Sequence, residues 1–316
     1  MSPVHVSFVG LCVAEWRKIR GRGLAYAVLL LGLLHGLLGP AFVKAAILLG
    51  HQLGAGDIDP VDWLVGADVG LYFAIFPING FALLLLAAMM WAEDFSLGTM
   101  SMIFVRSVPR WKVFASKVVV AWLMGIASLA LALFAGAALG LLLLGWSGDI
   151  SALANYPLLQ WMAPIGAAAT DVAAGDVAVA PAVIAVEPLG LFARLGGLVL
   201  RLAACTLILG PPLAVAAFWA NLTRSPIMTL FGSVFVLVLD GFVWAGGWMW
   251  GTSNLTGNTL AGALSDCTIW GSRRSFYTAV SEGPIVWDWM GICITVAYTV
   301  VVGALALWMF VKRDVT

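Results

Sequence analysis

The feature that most constrains this chain is a series of long apolar runs without charge. Val69 to Ala92 contains no charged residue, and neither does Val118 to Trp146. A helix rises 1.5 Å per residue, so a bilayer core of about 30 Å needs about 20 such residues. Across the chain 62% of residues are hydrophobic and 10% charged, where a soluble domain carries about 25% charged residues. An integral membrane protein follows. Lipid offers no partners to open backbone, so the spans are helical. Alternating segments of about ten residues, the mark of a barrel, are absent.

The pattern predicts an all-α protein with six transmembrane helices. They are Leu24 to Leu49, Val69 to Ala92, Val118 to Trp146, Leu202 to Ala220, Pro226 to Trp250 and Trp289 to Val311. The third is long, and as helix its 29 residues would measure about 43 Å, so it tilts or projects. Residues 5–22 precede the first span, with Phe8, Leu11, Cys12, Trp16 and Ile19 at helical spacing and Glu15, Lys18 and Arg22 on another face. This reads as an interfacial helix.

Loop charges set the orientation. With both termini in the cytosol, the inner segments hold Arg17, Lys18, Arg20, Arg22, Arg106, Arg110, Lys112, Lys117, Arg224, Lys312 and Arg313, eleven of the sixteen basic residues. Most acids then fall outside, among them Asp57, Asp149, Asp171, Glu187 and Asp288. Residues 147–201 and 251–288 are placed as outer segments. Cys12, Cys205, Cys267 and Cys293 show neither metal spacing nor a disulfide framework. Net charge is zero and there is no basic arm for nucleic acid.

The stretch from Trp91 to Lys117 is the one long charged segment clamped between two uncharged runs. As a cytosolic element it can grip a partner. Its Glu93–Ser96 segment is read as a helix start, with acids at the positive N-terminal end. Phe95, Leu97 and Met100 offer apolar anchors, and Pro109 ends the element before the next span.

Glu93, then Gly98-Thr99, then Pro109-Arg110, then Lys117 resembles the ABC-2-type permease family, membrane subunits of many bacterial exporters. Glu15, Trp16 and Lys18 look like part of that family's elbow helix. The six-span layout also fits, and residues 147–201 depart from the family's usual short link. The resemblance implies one transmembrane permease domain over residues 1–316, a multi-pass protein of the cytoplasmic membrane. It further implies a coupling loop at 93–112 on which a cytosolic ABC ATPase docks through Glu93, Asp94, Phe95, Leu97, Gly98, Thr99, Arg106, Pro109 and Arg110. A second copy of the permease, or a related one, would complete a dimer. No Walker-type phosphate loop occurs here. The chain is therefore expected to have no cofactor or enzymatic activity of its own, with ATP and Mg in the partner.

Two spans carry residues of interest. Pro77, Asn79 and Gly80 interrupt the second, as a hinge lining a path or as a static kink. Asp240 sits in the fifth span, where a carboxylate costs about 2.5–3.5 kcal/mol on insertion scales. It lines a path, pairs with Arg201, or sits near the outer mouth where water reaches. The resemblance places the second and fifth spans at the dimer centre, which makes Asn79 and Asp240 the pathway candidates. GxxxG spacings at Gly32/Gly36, Gly136/Gly140 and Gly247/Gly251 are read as intrachain packing.

The expected function is substrate translocation driven by a separate ATPase. An alternative is a permease-like mechanical or assembly subunit that couples a cytosolic ATPase to an extracellular apparatus and translocates nothing. A membrane enzyme is disfavoured, because His5, His35 and His51 are scattered and no HExxH motif appears.

Overall fold

The computed structural model describes residues 7–52, 63–75, 77–96, 108–145, 199, 202–203, 205–252 and 289–312. Every element is a helix: α1 (Phe8–Arg20), α2 (Gly23–Gln52), α3 (Trp63–Ile75), α4 (Pro77–Ser96), α5 (Arg110–Leu143), α6 (Gly210–Thr223), α7 (Pro226–Thr252) and α8 (Trp289–Lys312). Among the described residues, five helices are long and apolar enough to cross a membrane: Gly23–Leu49, Arg110–Leu143, Cys205–Thr223, Pro226–Val243 and Ile292–Lys312.

These five correspond to expected spans one, three, four, five and six. The expected second span is two helices, α3 of 13 residues and α4 of 20, and its apolar stretch among the described residues is Ala82–Ala92. The division falls where the sequence places Pro77. A proline cannot donate to the carbonyl four residues back, but it starts a helix well because the first N–H groups are unpaired anyway. The Pro211-Pro212 pair acts similarly. Leu209 forms a turn ahead of α6, and the prolines occupy that helix's first positions.

α1 begins with a Ser7 cap whose side-chain oxygen accepts a 3.0 Å hydrogen bond from the Gly10 N–H. It ends at Gly21, and α2 starts two residues later. α5 starts eight residues before the expected span and runs for 34 residues, about 51 Å. Pro109 precedes it with φ −59°, the angle its ring imposes.

α2, α3 and α5 pack on one another through residues without bulk. Gly32 of α2 lies against Ser128 of α5, Gly36 against Ala132, and Gly39 against Gly70 of α3. Gly136 and Gly140 of α5 lie against Ala67 and Trp63 of α3. A methyl group at Gly36 would overlap the Ala132 carbonyl. Small residues let helix backbones approach closely where lipid supplies no hydrophobic drive. The Gly32/Gly36 and Gly136/Gly140 spacings are thus intrachain contacts, as the sequence suggested. Ser128 adds a 2.9 Å hydrogen bond from its hydroxyl to the Val28 carbonyl. Gly66 makes room for the ring of Pro40, which stands inside α2.

α6 packs on α8, α7 and α4. It is joined to α7 by a tight turn in which Arg224 adopts the left-handed conformation, φ 56°. Its amide donates to the Ala220 carbonyl, and the Thr229 hydroxyl donates to the Ser225 carbonyl at 2.7 Å. α4 touches both groups of helices and so joins them. His35 is buried, with Nδ1 2.6 Å from the Leu31 carbonyl oxygen one turn back, a local bond within α2. Among the described residues, Cys12, Cys205 and Cys293 form no disulfide.

Candidate functional site

The charged segment and the N-terminal helix meet at one place. Lys117, about two turns into α5, is completely buried. Its ammonium donates to Asp94 Oδ2 of α4, to Glu15 Oε2 of α1 at 3.1 Å and to the Met90 carbonyl oxygen at 2.8 Å. An ammonium has three donors, and all three are used. Lys18 of α1 closes the arrangement: its Nζ lies 3.1 Å from Glu15 Oε1 and 3.1 Å from Asp94 Oδ2. Two cations and two carboxylates from three helices thus form a neutral group. Glu15 and Asp94 are buried, while the Lys18 side chain keeps 38% of its surface exposed.

Folding brings these groups together for identifiable reasons. Glu15 and Lys18 are three apart on α1, so they share a face. On the same side of α1, Ile19 is buried in the core. α4 continues to Ser96, which corrects the expectation that Glu93–Ser96 opens a helix. These residues close one. Asp94 therefore sits at the negative end of the helix dipole, an unfavourable place for a carboxylate. Lys117 and Lys18 offset that cost.

The electrostatics follow the same logic. Asp94 lies beyond the apolar stretch that ends at Ala92. Burial alone would raise its pKa, but the ammonium groups of Lys117 and then Lys18 outweigh burial and hold it below the ordinary value. For Lys18, burial works downwards, and Glu15 and Asp94 together bring the net shift upwards.

An aromatic layer lies next to the charges. Trp91 and Phe114 have ring centroids 6.0 Å apart, Phe114 and Phe310 5.6 Å, and Phe95 and Phe310 6.1 Å, the last pair edge to face. Each such pair contributes about 0.5–1.5 kcal/mol beyond area burial. Arg110 Nη1 donates to the Val311 carbonyl oxygen at 2.8 Å. It thus satisfies one of the carbonyls left open at the end of α8. The end of the last helix is tied to the start of α5.

Residues 11–186 match the family described as ABC-2 family transporter protein, which is more than half of the 316 residues. This chain belongs to the ABC-2 transporter family. Neither characterised proteins nor solved structures give a match to it. The match includes most of α1, all of α2 to α5 and part of the 147–201 segment. All four charged residues of the cluster therefore lie within the ABC-2 region. A multi-pass ABC-2 membrane protein, with an ABC ATPase as its partner in general, is what this membership supports.

Within this ABC-2 chain the expected docking residues divide into groups. Asp94 and Phe95 turn inward, Asp94 to the lysines and Phe95 to Phe310. They brace the segment and do not present it, because a carboxylate shared by two ammonium groups has little left to offer outside. Pro109 and Arg110 start α5, with Arg110 committed to α8. Glu93 belongs to α4, but its side chain lies outside the described residues, as do Leu97, Gly98, Thr99 and Arg106. Of the elbow residues, Glu15 and Lys18 join the cluster and Trp16 is exposed. Asn79 is in the first turn of α4, with its side chain undescribed, and Asp240 is half-buried in α7. Arg201, its expected alternative partner, lies outside the described residues. The structure does not bring Asn79 and Asp240 into the charge cluster. Sequence reasoning named Lys117 only as a motif position. A lone basic residue at the entrance of an apolar run, with acids in the flanking segments, was the available signal for its burial.

Proposed function

We propose that this chain is the membrane-spanning permease subunit of an ABC transporter, moving a substrate across the cytoplasmic membrane with ATP hydrolysed by a separate subunit. In this reading the polypeptide crosses six times, α3 and α4 together forming the second crossing, with both termini cytosolic. α1 lies along the inner surface as the elbow. The chain itself supplies no catalytic group or cofactor, and ATP and Mg belong to the ATPase. A second permease copy completes the path, which Asn79 and Asp240 line. The family's exporters favour outward transport.

The observation that carries this reading is the Glu15–Lys18–Asp94–Lys117 cluster within an ABC-2 chain. A partner pushing on the segment between α4 and α5 acts on two helix ends already bound to each other and to α1 by charge. Through Arg110 it also acts on α8. The push is then shared among four helices instead of being lost in bending one loop.

The test is a mild-detergent purification from the native host with mass spectrometry of what stays bound. A stoichiometric ATPase bearing a phosphate-binding loop is expected. Glu93→Arg is expected to weaken that association without preventing membrane insertion. A complex shown to survive extraction, yet lacking any ATPase, overturns the reading.

A further inference from the structure

α1 shows a second surface, opposite the charge cluster. Val9, Val13, Trp16 and Arg20 are separated by four, three and four residues, so they form one stripe along the helix. The apolar members are open: Val9 keeps 69% of its surface exposed, Val13 43% and Trp16 42%. Arg17 is exposed beside Arg20, at the C-terminal end of the stripe. The surface thus runs from apolar to cationic along its length.

The cluster makes this end more cationic than the sequence alone suggests. Glu15 is buried and committed to Lys117 and Lys18, and Asp94 to the same two lysines. Among the described residues, no carboxylate pairs with Arg17 or Arg20. The helix turns its acid inward and leaves two guanidinium groups outward. These are planar, permanently charged and suited to grip a phosphate with two parallel hydrogen bonds. The next helix continues the apolar surface, with Tyr26, Leu30, Leu34 and Leu38 exposed at four-residue steps along α2.

We propose that Arg17 and Arg20 hold the phosphate of an anionic phospholipid, while Val9, Val13 and Trp16 sit at its acyl boundary. The inference rests on the placement of α1 at the inner membrane surface given above. The occupant is a lipid and not a protein because the exposed apolar side chains of α1 continue onto the long apolar helix α2, and the two guanidinium groups stand beside the start of that helix, at the level of the headgroup phosphates. A basic residue near an anionic surface is worth about a fivefold change in partition at low salt. Bound lipid would fix the outer side of α1 while the four-charge cluster fixes its inner side.

The test uses the full chain, without ATPase, in nanodiscs of phosphatidylcholine alone or with one third phosphatidylglycerol. Amide hydrogen exchange of residues 8–20 is read against residues 118–140 as an internal control. Wild type is expected to exchange more slowly in the phosphatidylglycerol discs, by about fivefold for each arginine, and to lose the difference in 0.5 M salt, as screening of an exposed pair requires. Arg17→Gln/Arg20→Gln is expected to bring the two discs together, and Arg17→Lys/Arg20→Lys to retain only the part of the difference that charge alone supplies. Both arginines are exposed, so the control segment should be unchanged in each variant. Equal exchange of wild type in the two discs overturns the proposal. So does a difference that survives in the glutamine variant, or protection that appears only when an ATPase is added, which would assign the surface to a protein. The comparison of the two discs is made without ATPase, so its failure and the failure to co-purify an ATPase are separate results.

Discussion

The two ends of α5 are held in opposite ways. Near its start, Lys117 is locked by two carboxylates and a carbonyl from α1 and α4. Farther along, Ser128, Ala132, Gly136 and Gly140 fit against α2 and α3 backbone to backbone. Shape contact of the second kind has one register and no intermediate positions, because packed backbones cannot be compressed. Charge contact of the first kind depends on protonation and on whichever ion lies nearby. A buried ion network is weak evidence for stability, since its desolvation cost can match its attraction. Its value at this end is that it decides which groups meet. The glycine seam makes a fixed body of α2, α3 and α5, and the charged end is the place where that body can be acted on.

The largest effect should come from breaking the network on one side only. Lys117→Met keeps the length of the side chain but leaves Glu15 and Asp94 sharing Lys18. Removing one partner of a buried ion pair costs about 3–5 kcal/mol, which should appear as a lower unfolding midpoint in detergent. Lys117→Met/Asp94→Leu removes the pair together and leaves Glu15 with Lys18, so most of the loss should be recovered. A single variant that unfolds like wild type would show that water reaches the site, and the contrast between the two ends would collapse.

A smaller effect is expected at the other end. Gly36→Leu places a branched chain against the Ala132 backbone. Overpacking of this kind costs about 1–3 kcal/mol. Unlike the first loss, no second substitution of a side chain should restore it, because the obstacle is main chain. Full recovery by Ala132→Gly would refute the backbone-limited view and show that the seam adapts.

Much of this was legible in the sequence because hydrocarbon forbids most alternatives. Runs such as Val118 to Trp146 have no other use, and the glycine pairs in spans one and three marked where helices touch. The spans' ends were less legible. α5 starts at Arg110 because charged residues can extend a helix beyond the bilayer, and hydropathy does not register that extension. Glu93 and Asp94 suggest the start of a helix because acids favour that end, yet they finish α4. The cluster itself could not be foreseen as a contact. Glu15 and Lys117 are 102 residues apart, and a single sequence contains no record of which acid a buried lysine meets. The local part, Glu15 three residues from Lys18, was visible, as was Lys117 at the edge of its span.

Acidity offers the mildest way to separate the two ends. Asp94 has its pKa held down, so its contribution to stability is complete above the ordinary carboxylate value of 3.8 and is lost as pH falls below that value through the folded one. Lys18 has its pKa raised, so its contribution is complete below the ordinary 10.5 and is lost as pH rises above it. Between those limits neither Asp94 nor Lys18 changes charge, and their pairing should be indifferent to pH. Below about 3.8 and above about 10.5, amide exchange in α1 should quicken while α2 and the glycine-lined half of α5 stay protected, since that seam is made of backbone and small side chains that do not titrate. The base limb should move least, because Lys18 is partly exposed and solvent already weakens its pairing. Loosening of α1 near neutral pH would contradict these directions, and simultaneous loosening of both ends would mean that charge and shape do not act as separate restraints.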